Sequence, residues 1–292
     1  MPEGDTLRRL ADHIDDRFAG SVVERSVLRD PRLAGRELAG RRLVSADAYG
    51  KHLFVRFDDG RTLHAHLRMD GKFAVGRPST APAWKRRVEL WFPDGSLVGE
   101  GVPLLELIDT DAEADVTAPL GPDLCAPSGP PGPDDLADRL RLVPETGLTP
   151  AMLDQHRVAG WGNVYVNDVP FICGLSPFQP VGSIDELRVL TAVGTALIRT
   201  NARLGPQNTT GRRLQTDARW VHGSGRRPCP VCGDRLRHES EQRSPWHRSI
   251  TWCETCQPTV DPTTGRARAD IDRVHHLIGL HPAMKEPYLP PA

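Results

Sequence analysis

Long apolar runs, aromatic residues and net charge are all scarce in this sequence. Aromatic side chains make up 5% of its 292 residues, and the formal net charge is −1. No apolar run approaches the roughly 18 residues that a membrane span needs, and several acidic residues near the start argue against a secretory signal. The sequence also contains no internal repeat and no nucleotide-binding glycine loop. With 38% hydrophobic and 26% charged residues, the composition predicts a globular cytoplasmic protein, with no membrane partner, that is long enough for two domains.

The near-zero net charge conceals a separation of charge along the chain. Between Gly99 and Leu140, ten acidic residues occur with a single arginine. Between Asn201 and Pro258, ten arginines and no lysine occur with five acidic residues. A basic C-terminal region of this kind permits nucleic-acid binding but does not prove it.

Six cysteines occur, and four of them form two C-x2-C pairs that are separated by twenty residues. The pairs are Cys229 with Cys232 and Cys253 with Cys256. Four thiolates at this spacing predict a tetrahedral site for one Zn²⁺ ion. The site is predicted to be structural, because four protein ligands leave no open position for catalysis. Cys125 and Cys173 are isolated and are interpreted as buried or free thiols.

Turn signals divide the first part of the chain into short strands. Asp58-Asp59-Gly60, Asp70-Gly71 and Pro93-Asp94-Gly95 separate short runs, which often alternate in polarity. The runs are residues 44–48, 53–57, 62–67, 73–75, 88–92 and 96–98. They predict an antiparallel sandwich or barrel. Ahead of them, the helical spacing of apolar residues in Asp5–Phe18 predicts one amphipathic helix.

The second part of the chain has a helical pattern. An acidic stretch rich in Pro and Gly, Asp109–Pro133, is the predicted interdomain connection. Thr149 followed by Pro150 predicts the start of a helix that runs to about Val158, and Ser183 is predicted to cap another helix. The predicted domains are a β-sandwich (1–115), a helical domain (116–221), a zinc ribbon (222–258) and a C-terminal tail (259–292).

The N-terminal sequence Met1-Pro2-Glu3 can provide a reactive amine. Removal of Met1, which a small second residue permits, exposes Pro2 as a free secondary amine. An α-amino group has a pKa of about 7.7–8.0, against about 10.4 for lysine. More of it is therefore unprotonated at neutral pH and able to attack an electrophilic carbon. Glu3 is adjacent and suits a role as general acid or base.

Several motifs occur in one order from residue 2 to about residue 258. They are Met1–Leu7, Gly50–Leu53, His66–Gly71, Leu153–Gln155, Val158–Asn167 and the two cysteine pairs. Together they resemble the formamidopyrimidine-DNA glycosylase/endonuclease VIII family. The Pro-Glu-Gly-Asp-Thr start is more similar to the endonuclease VIII branch, which mainly handles oxidised pyrimidines.

The resemblance implies both a fold and a function. The fold is α+β, with an N-terminal helix and an antiparallel β-sandwich domain, then a helix–two-turns–helix domain with a four-cysteine zinc ribbon. The implied partner is damaged DNA. The implied activity is that of a bifunctional DNA glycosylase/AP lyase, which excises oxidised bases, chiefly pyrimidines, and cuts the strand by β,δ-elimination.

The resemblance also implies catalytic roles for four residues. Pro2 would form a Schiff base with the sugar C1′, and Glu3 would be the proton donor. Lys51 matches the family lysine that contacts phosphate and serves β-elimination. Arg248, five residues before Cys253, matches the ribbon arginine that clamps the phosphates flanking the lesion and assists δ-elimination.

DNA contacts are implied for three more residues. His66 and Met69 lie on the loop that resembles the DNA-probing turn, where a linear apolar side chain suits the gap left by a flipped nucleotide. Asn163 follows two glycines in the segment that resembles the helix–two-turns–helix element. Backbone N–H groups at the start of the next helix can hold a phosphate there, and Asn163 would add a side-chain donor.

The sequence departs from the family pattern at three places. Thr6 stands where many relatives carry Glu. The region Val98–Leu105 lacks the Arg–Phe–Gly segment of the 8-oxoguanine-specific branch, and Pro119 stands where some endonuclease VIII members have Arg. The preferred lesion is therefore left open among oxidised pyrimidine, 8-oxoguanine and an abasic site, in duplex or single-stranded DNA.

Two alternatives to the leading hypothesis are open at this point. One is a non-catalytic DNA- or RNA-binding module with the same fold. The joint presence of Pro2, Glu3 and Lys51 argues against it, because binding needs none of the three. The other is an enzyme of this fold that mainly processes abasic sites or single-stranded substrates. A monomer is expected, because a two-domain clamp around DNA needs no second copy.

Overall fold

A computed structural model of the chain describes residues 2–212, 214–225, 227–242, 244, 247–261, 263–279, 281 and 283–284. The chain divides into two compact units, unit 1 ending at Pro119 and unit 2 beginning at Leu120. The boundary falls within the acidic Asp109–Pro133 stretch. None of the helices in the described ranges is both long enough and apolar enough to cross a membrane.

Unit 1 contains an N-terminal helix, a series of strands and a short final helix. Their bounds are α1 (Gly4–Phe18), β1 (Arg25–Leu28), β2 (Leu43–Tyr49), β3 (His52–Phe57), β4 (Arg61–His66), β5 (Lys72–Val75), β6 (Arg86–Phe92), β7 (Gly95–Glu100), β8 (Leu104–Asp109) and α2 (Glu113–Thr117). The strands form two antiparallel sheets, ordered β1-β6-β7-β5 and β2-β3-β4-β8. Leu53, Val55 and Leu90 are fully buried in one apolar core. The predicted antiparallel β fold behind an N-terminal helix is confirmed.

Helix α1 packs on β2 and β3 through the face that its apolar spacing predicts. Leu7 and Phe18 are fully buried, and the Phe18 ring stacks on Phe92 with a centroid distance of 4.3 Å. Arg8 forms an ion pair with Asp47 of β2. These contacts fix the start of the chain against the β2–β3 hairpin.

Unit 2 is mainly helical and includes one short β-hairpin. Its elements are α3 (Pro133–Arg141), α4 (Leu148–Leu153), α5 (Asn163–Cys173), α6 (Leu187–Leu204), β9 (Arg237–Glu239), β10 (Ile250–Trp252) and α7 (Ile271–Gly279). The core contains the fully buried Trp161, Tyr165 and Phe171. The isolated Cys125 and Cys173 are buried and form no disulfide within the described residues.

The predicted start of α4 at Thr149 is wrong. The helix begins at Leu148, and the glycine before it occupies the N-cap. Thr149 has no capping role because the N–H groups of Leu148 and Thr149 donate to the carbonyls of Gln179 and Pro177, at 2.9 and 3.0 Å. The backbone is extended after Leu153, so the helix also ends before its predicted end.

Ser183 likewise does not cap α6. Its hydroxyl donates to the Pro180 carbonyl at 2.8 Å and accepts from Gln179 Nε2 at 2.6 Å. The helix begins at Leu187, after Glu186 in a left-handed conformation with φ 53°. The apolar face of this helix is confirmed, since these predicted residues are all buried: Leu187, Leu190, Val193, Leu197 and Ile198.

The segment after the cysteine pairs is packed into unit 2 at least as far as Gly279. Helix α7 lies against α5, and its Val274 and Leu277 belong to the core. Arg273 Nε donates to the Phe171 carbonyl at 3.0 Å, and the guanidinium lies 4.5 Å from the centre of the Phe171 ring. This part of the predicted tail therefore contributes to the fold.

Candidate active site and nucleic-acid interface

Pro2 and Glu3 lie at the start of α1. Glu3 is the N-cap residue and is fully buried, and its carbonyl accepts from the N–H groups of Thr6 and Leu7 at 2.9 and 3.0 Å. Pro2 is half-buried. The hydroxyl of Thr6, where many relatives have Glu, donates to Asp5 at 3.2 Å. The helix thus holds a buried carboxyl side chain next to the residue that would carry the reactive amine.

Lys51 lies in the tight turn between β2 and β3. Gly50 before it has φ 56°, in the left-handed region that favours glycine. Tyr49 and His52 are partners in the strand pairing on either side of the turn. Because α1 packs on this same hairpin, one local structure positions the chain start and the turn that carries Lys51.

Strands β3, β4 and β8 carry a hydrogen-bonded chain of side chains that the sequence analysis missed. Glu106 Oε1 lies 2.7 Å from His64 Nδ1, and His64 Nε2 lies 2.8 Å from His52 Nδ1. The His66 ring meets the His52 ring edge-on at a centroid distance of 4.9 Å, and Phe54 stacks on His64 at 5.0 Å. Histidines at alternate positions of one strand were the available sequence signal.

The electrostatics of this cluster keep two of its imidazoles neutral. Burial lowers the pKa of His52 to about 3, with further lowering by the neighbouring His66, His64 and Lys51. Burial lowers the pKa of His66 to about 4, and the charges of Lys51 and Arg68 act in the same direction. The ammonium of Lys51 is therefore close enough to influence both rings.

Met69 is at the tip of the loop after β4, with 51% of its surface exposed. It is therefore not a core residue. The loop needs a glycine at Gly71, because a Cβ there would lie 2.7 Å from the Leu67 carbonyl oxygen. His66 Nδ1 accepts from the N–H of Arg68 at 3.1 Å, so its Nε2 carries the proton in the neutral ring.

In unit 2, Asn163 is the first residue of α5 and contacts Ser249, which lies between Arg248 and β10. Its Nδ2 lies 3.2 Å from both the carbonyl oxygen and the hydroxyl of Ser249. Asn167, one turn later, donates to the Asn163 carbonyl at 2.7 Å and accepts from the N–H of Thr251 at 2.7 Å. These bonds attach β10 to α5 and bring Arg248 near the start of that helix.

The turn before α5 is held by the Leu153–Gln155 motif. Gly160 has φ 122°, and its N–H donates to Gln155 Oε1 at 3.0 Å, while Gln155 Nε2 donates to the Trp161 carbonyl at 3.0 Å. Gly121 packs against the same loop, where a Cβ would lie 2.3 Å from the Arg157 carbonyl oxygen. The motif residues thus fix the approach to the N-terminus of α5.

Arg248 lies just before β10 and is partly exposed. Its Nη1 donates to the His247 carbonyl at 2.6 Å and lies 3.8 Å from Glu241 Oε1. A surface ion pair of this kind is worth at most about 1 kcal/mol. The guanidinium can therefore exchange that carboxylate for a phosphate at little cost.

Asp168 of α5 is a further residue that the sequence analysis missed. It is fully buried and accepts from the N–H groups of Trp220, Val221 and His222 at 2.8–3.0 Å. It also accepts from the Thr209 hydroxyl at 2.5 Å. A carboxylate in a largely apolar, fully buried helix was the available signal. Asp168 anchors the loop that leads into the cysteine segment.

The four cysteine sulfurs of the predicted ribbon lie within 4.8 Å of one another. Two of the distances are 3.8 Å, between Cys229 and Cys256, and 3.5 Å, between Cys232 and Cys253. Four sulfurs placed about 2.3 Å from a tetrahedral metal lie roughly 3.8 Å apart. The donor set and its dimensions therefore fit one metal ion.

Comparison with known protein sequences relates the chain to DNA-repair enzymes. Residues 1–99 match the family model described as the formamidopyrimidine-DNA glycosylase N-terminal domain. The chain is 38% identical over 271 residues to the probable endonuclease 8 2 of Streptomyces coelicolor, which covers 91% of this chain and 97% of that protein. It is 34% identical over 258 residues to the DNA-(apurinic or apyrimidinic site) lyase Nei2 of Mycolicibacterium smegmatis, which covers 88% and 99% respectively.

Comparison with solved structures shows that the fold is shared. The Lactococcus lactis formamidopyrimidine DNA glycosylase, non-covalently bound to DNA with an AP site, matches with a TM-score of 0.75 and 22% identity. The match covers 88% of this chain and 100% of that one.

Proposed function

Because the chain belongs to the formamidopyrimidine-DNA glycosylase/endonuclease VIII family, we propose that it is a bifunctional DNA glycosylase and AP lyase of base excision repair. Its proposed substrates are oxidised bases in DNA, chiefly pyrimidines. The observation that carries the proposal is the position of Pro2 and Glu3 at the start of α1, which packs on the hairpin that carries Lys51.

The first step assigned to the site is base removal. The amine of Pro2 attacks C1′ of the damaged nucleotide, and Glu3 supplies the proton that opens the sugar ring. The base leaves and a Schiff base joins Pro2 to the sugar. A terminal amine suits this role because its pKa lies near 8 rather than near 10. Glu3 is adjacent to Pro2 in sequence and is fully buried, which supports its assignment as the proton donor.

The second step is strand cleavage by β,δ-elimination. Lys51 is assigned to the phosphate and to the β-elimination step, and Arg248 to the flanking phosphates and the δ-elimination step. Within unit 2, Asn163 is assigned to the same phosphate contacts as Arg248, because it bonds to the neighbouring Ser249. His66 offers an Nε2–H donor to the DNA, and the exposed Met69 enters the gap left by the flipped nucleotide.

We assign the cysteine cluster to one structural Zn²⁺ ion, held by Cys229, Cys232, Cys253 and Cys256. Zinc supplies folding energy of about 10–16 kcal/mol in comparable small segments. Here the ion would join the two cysteine pairs and stabilise the β9–β10 hairpin between them. We further propose that the protein acts as a cytoplasmic monomer on damaged DNA.

A preference for abasic sites is the second candidate. The Mycolicibacterium smegmatis relative is named a DNA-(apurinic or apyrimidinic site) lyase. The region Val98–Leu105 also lacks the Arg–Phe–Gly segment that would fill the gap opposite an 8-oxoguanine lesion. Such an enzyme would share the Pro2 chemistry and differ only in what it recognises.

Incision assays distinguish the oxidised-base glycosylase from the enzyme that prefers abasic sites. Duplex and single-stranded oligonucleotides containing thymine glycol, 8-oxoguanine or an abasic site are incubated with the protein, and the products are resolved by length. Cleavage at thymine glycol supports the leading proposal, whereas cleavage only at abasic sites supports the second candidate. Glu3→Gln is expected to slow base removal more than cleavage of a preformed abasic site. A wild-type protein that cleaves none of the substrates would overturn both proposed functions.

A further inference from the structure

We propose that Glu106, His64 and His52 form a proton relay that takes up the proton released in the lyase step beside Lys51. The inference rests on the proposed lyase function. It starts from the hydrogen bonds that join Glu106, His64 and His52, and none of these three residues has a role assigned above. His52 follows Lys51 in the Gly50–Leu53 motif, whereas His64 and Glu106 lie outside the family motifs. His64, the middle residue of the relay, is 2% exposed and is therefore closed to water.

The hydrogen bonds set the position of each proton. A carboxylate only accepts, so His64 Nδ1 donates to Glu106 Oε1 across 2.7 Å. In a neutral imidazole the second nitrogen is then an acceptor, so His64 Nε2 accepts from His52 Nδ1 across 2.8 Å. His52 is thereby left with an unprotonated Nε2. The carboxylate at one end thus sets the tautomer at the other end, where the His52 Nε2 lone pair is the acceptor.

The charged groups around the relay favour transfer of a proton from His52 towards Glu106. Asp30, and more weakly Glu106, raise the pKa of Arg32 in the turn after β1, so a guanidinium cation acts at the Glu106 end of the relay. Lys51, from the β2–β3 turn, opposes a positive charge on His52, as do His66 and His64 of β4. A proton taken up at His52 is therefore stabilised only if the positive charge moves on to His64.

In the proposed step the relay takes up the proton from C2′ of the sugar. In β-elimination the sugar C2′–H bond breaks, its electron pair forms the new carbon–carbon double bond, and the 3′ phosphate leaves with the electrons of the C3′–O bond. The C2′ proton goes to His52 Nε2, and the Nδ1 proton of His52 passes to His64 Nε2. The positive charge then rests on His64, against the Glu106 carboxylate. Glu106 and His64 are positioning residues, and His52 is the proton acceptor.

The relay predicts a change in the pH profile of strand cleavage. Single-turnover cleavage of a preformed abasic duplex isolates the lyase step. Glu106→Gln retains a hydrogen-bond acceptor but removes the negative charge, so it is expected to slow cleavage about ten-fold at neutral pH. The acid limb of its profile should move to lower pH, because the positive charge delivered to His64 is no longer opposed by a carboxylate. DNA affinity should stay unchanged.

Glu113→Gln is the matched control. Glu113 also bonds to side chains of β3 and β4, but through Arg56 and Thr62 at 2.7 and 2.6 Å. Its profile should match that of the wild type. A vertical fall in the Glu106→Gln rate at every pH, with no movement of the acid limb, would assign Glu106 a merely structural role and overturn the relay.

A second readout needs no DNA. In ¹⁵N spectra of histidine-labelled protein at neutral pH, His52 should carry its proton on Nδ1, with the assignment made from His52→Gln. An Nε2–H tautomer would overturn the relay whatever the protein cleaves. A wild-type protein that cleaves no abasic DNA would instead overturn the proposed function, and the tautomer result would remain interpretable.

Discussion

Asn163 Nδ2 lies 3.2 Å from both the carbonyl oxygen and the hydroxyl of Ser249. This contact joins the first residue of α5 to the neighbour of Arg248, across 86 residues of sequence. It places the N-terminus of a helix and an arginine on one side of unit 2. Helix N-termini and guanidinium groups both favour phosphate, which supports the proposal that Asn163 and Arg248 contribute to one phosphate-binding surface.

Replacing Arg248 tests this surface. Arg248→Ala is expected to weaken binding to an abasic duplex and to reduce the slope of log Kd against log salt concentration by about one, because one phosphate contact is lost. Fluorescence anisotropy over a series of NaCl concentrations measures both quantities. Arg237→Ala is the matched control, since Arg237 lies on the same hairpin but pairs with Glu254 at 2.9 Å. Equal slopes in all three proteins would remove Arg248 from the interface.

Metal removal tests the cysteine cluster. The wild-type protein should contain one zinc ion per chain by elemental analysis, and Cys232→Ser should contain far less and bind DNA more weakly. Cys125→Ala is the control, because Cys125 lies outside the cluster. This variant should still contain one zinc ion per chain. Wild-type zinc content in Cys232→Ser would contradict a four-cysteine site.

The packing of α7 predicts a large stability effect beyond the cysteine segment. Leu277 is 2% exposed in the core of unit 2, so Leu277→Ala should lower the free energy of unfolding by about 2–5 kcal/mol. His275 is on the exposed side of the same helix, and His275→Ala should change it by no more than about 0.5 kcal/mol. Denaturant titrations compare the two. Similar small effects would mean that α7 is dispensable for the fold.

The neutral histidines of unit 1 predict acid sensitivity. An unfolded histidine titrates near pH 6.5, whereas the folded pKa values of His52 and His66 are about 3 and 4. The unfolded chain therefore binds more protons below pH 6.5, and stability falls as the pH drops from 6.5 towards 4. Each histidine contributes a slope of up to about 1.4 kcal/mol per pH unit.

His66→Gln should flatten this slope, whereas His13→Gln, which changes an exposed histidine of α1, should leave it intact. Urea titrations between pH 7.5 and 4.5 give the slopes. A wild-type slope in His66→Gln would show that His66 is not held in its neutral form.

Much of the fold was predictable because local patterns determine it. The apolar spacing of α1 and the alternation in the strands depend on residues close in sequence. The starts of α4 and α6 could not be predicted from Thr149 and Ser183. The first N–H groups of α4 bond to the carbonyls of Gln179 and Pro177, which lie about 30 residues away and leave Thr149 no role as a cap.

The same distinction applies to the candidate site. The spacing of the cysteines predicted a cluster that the structure brings together. The chain from Glu106 to His52 depends on the pairing of β4 with β8, which sets His64 opposite Glu106 across 42 residues. No local pattern specifies that register. Asp168 was similarly hidden, because its backbone donors come from residues 220–222.

The most direct test of the Pro2 chemistry is to locate the covalent intermediate. Abasic DNA is incubated with the protein, reduced with borohydride and digested, and the modified peptide is sequenced by mass spectrometry. The expected result is a sugar remnant on the nitrogen of Pro2, and no adduct when an extra residue precedes Pro2 and converts that nitrogen to an amide. An adduct on Lys51 or another lysine, or one that survives the extension, would contradict the assignment of Pro2 as the nucleophile.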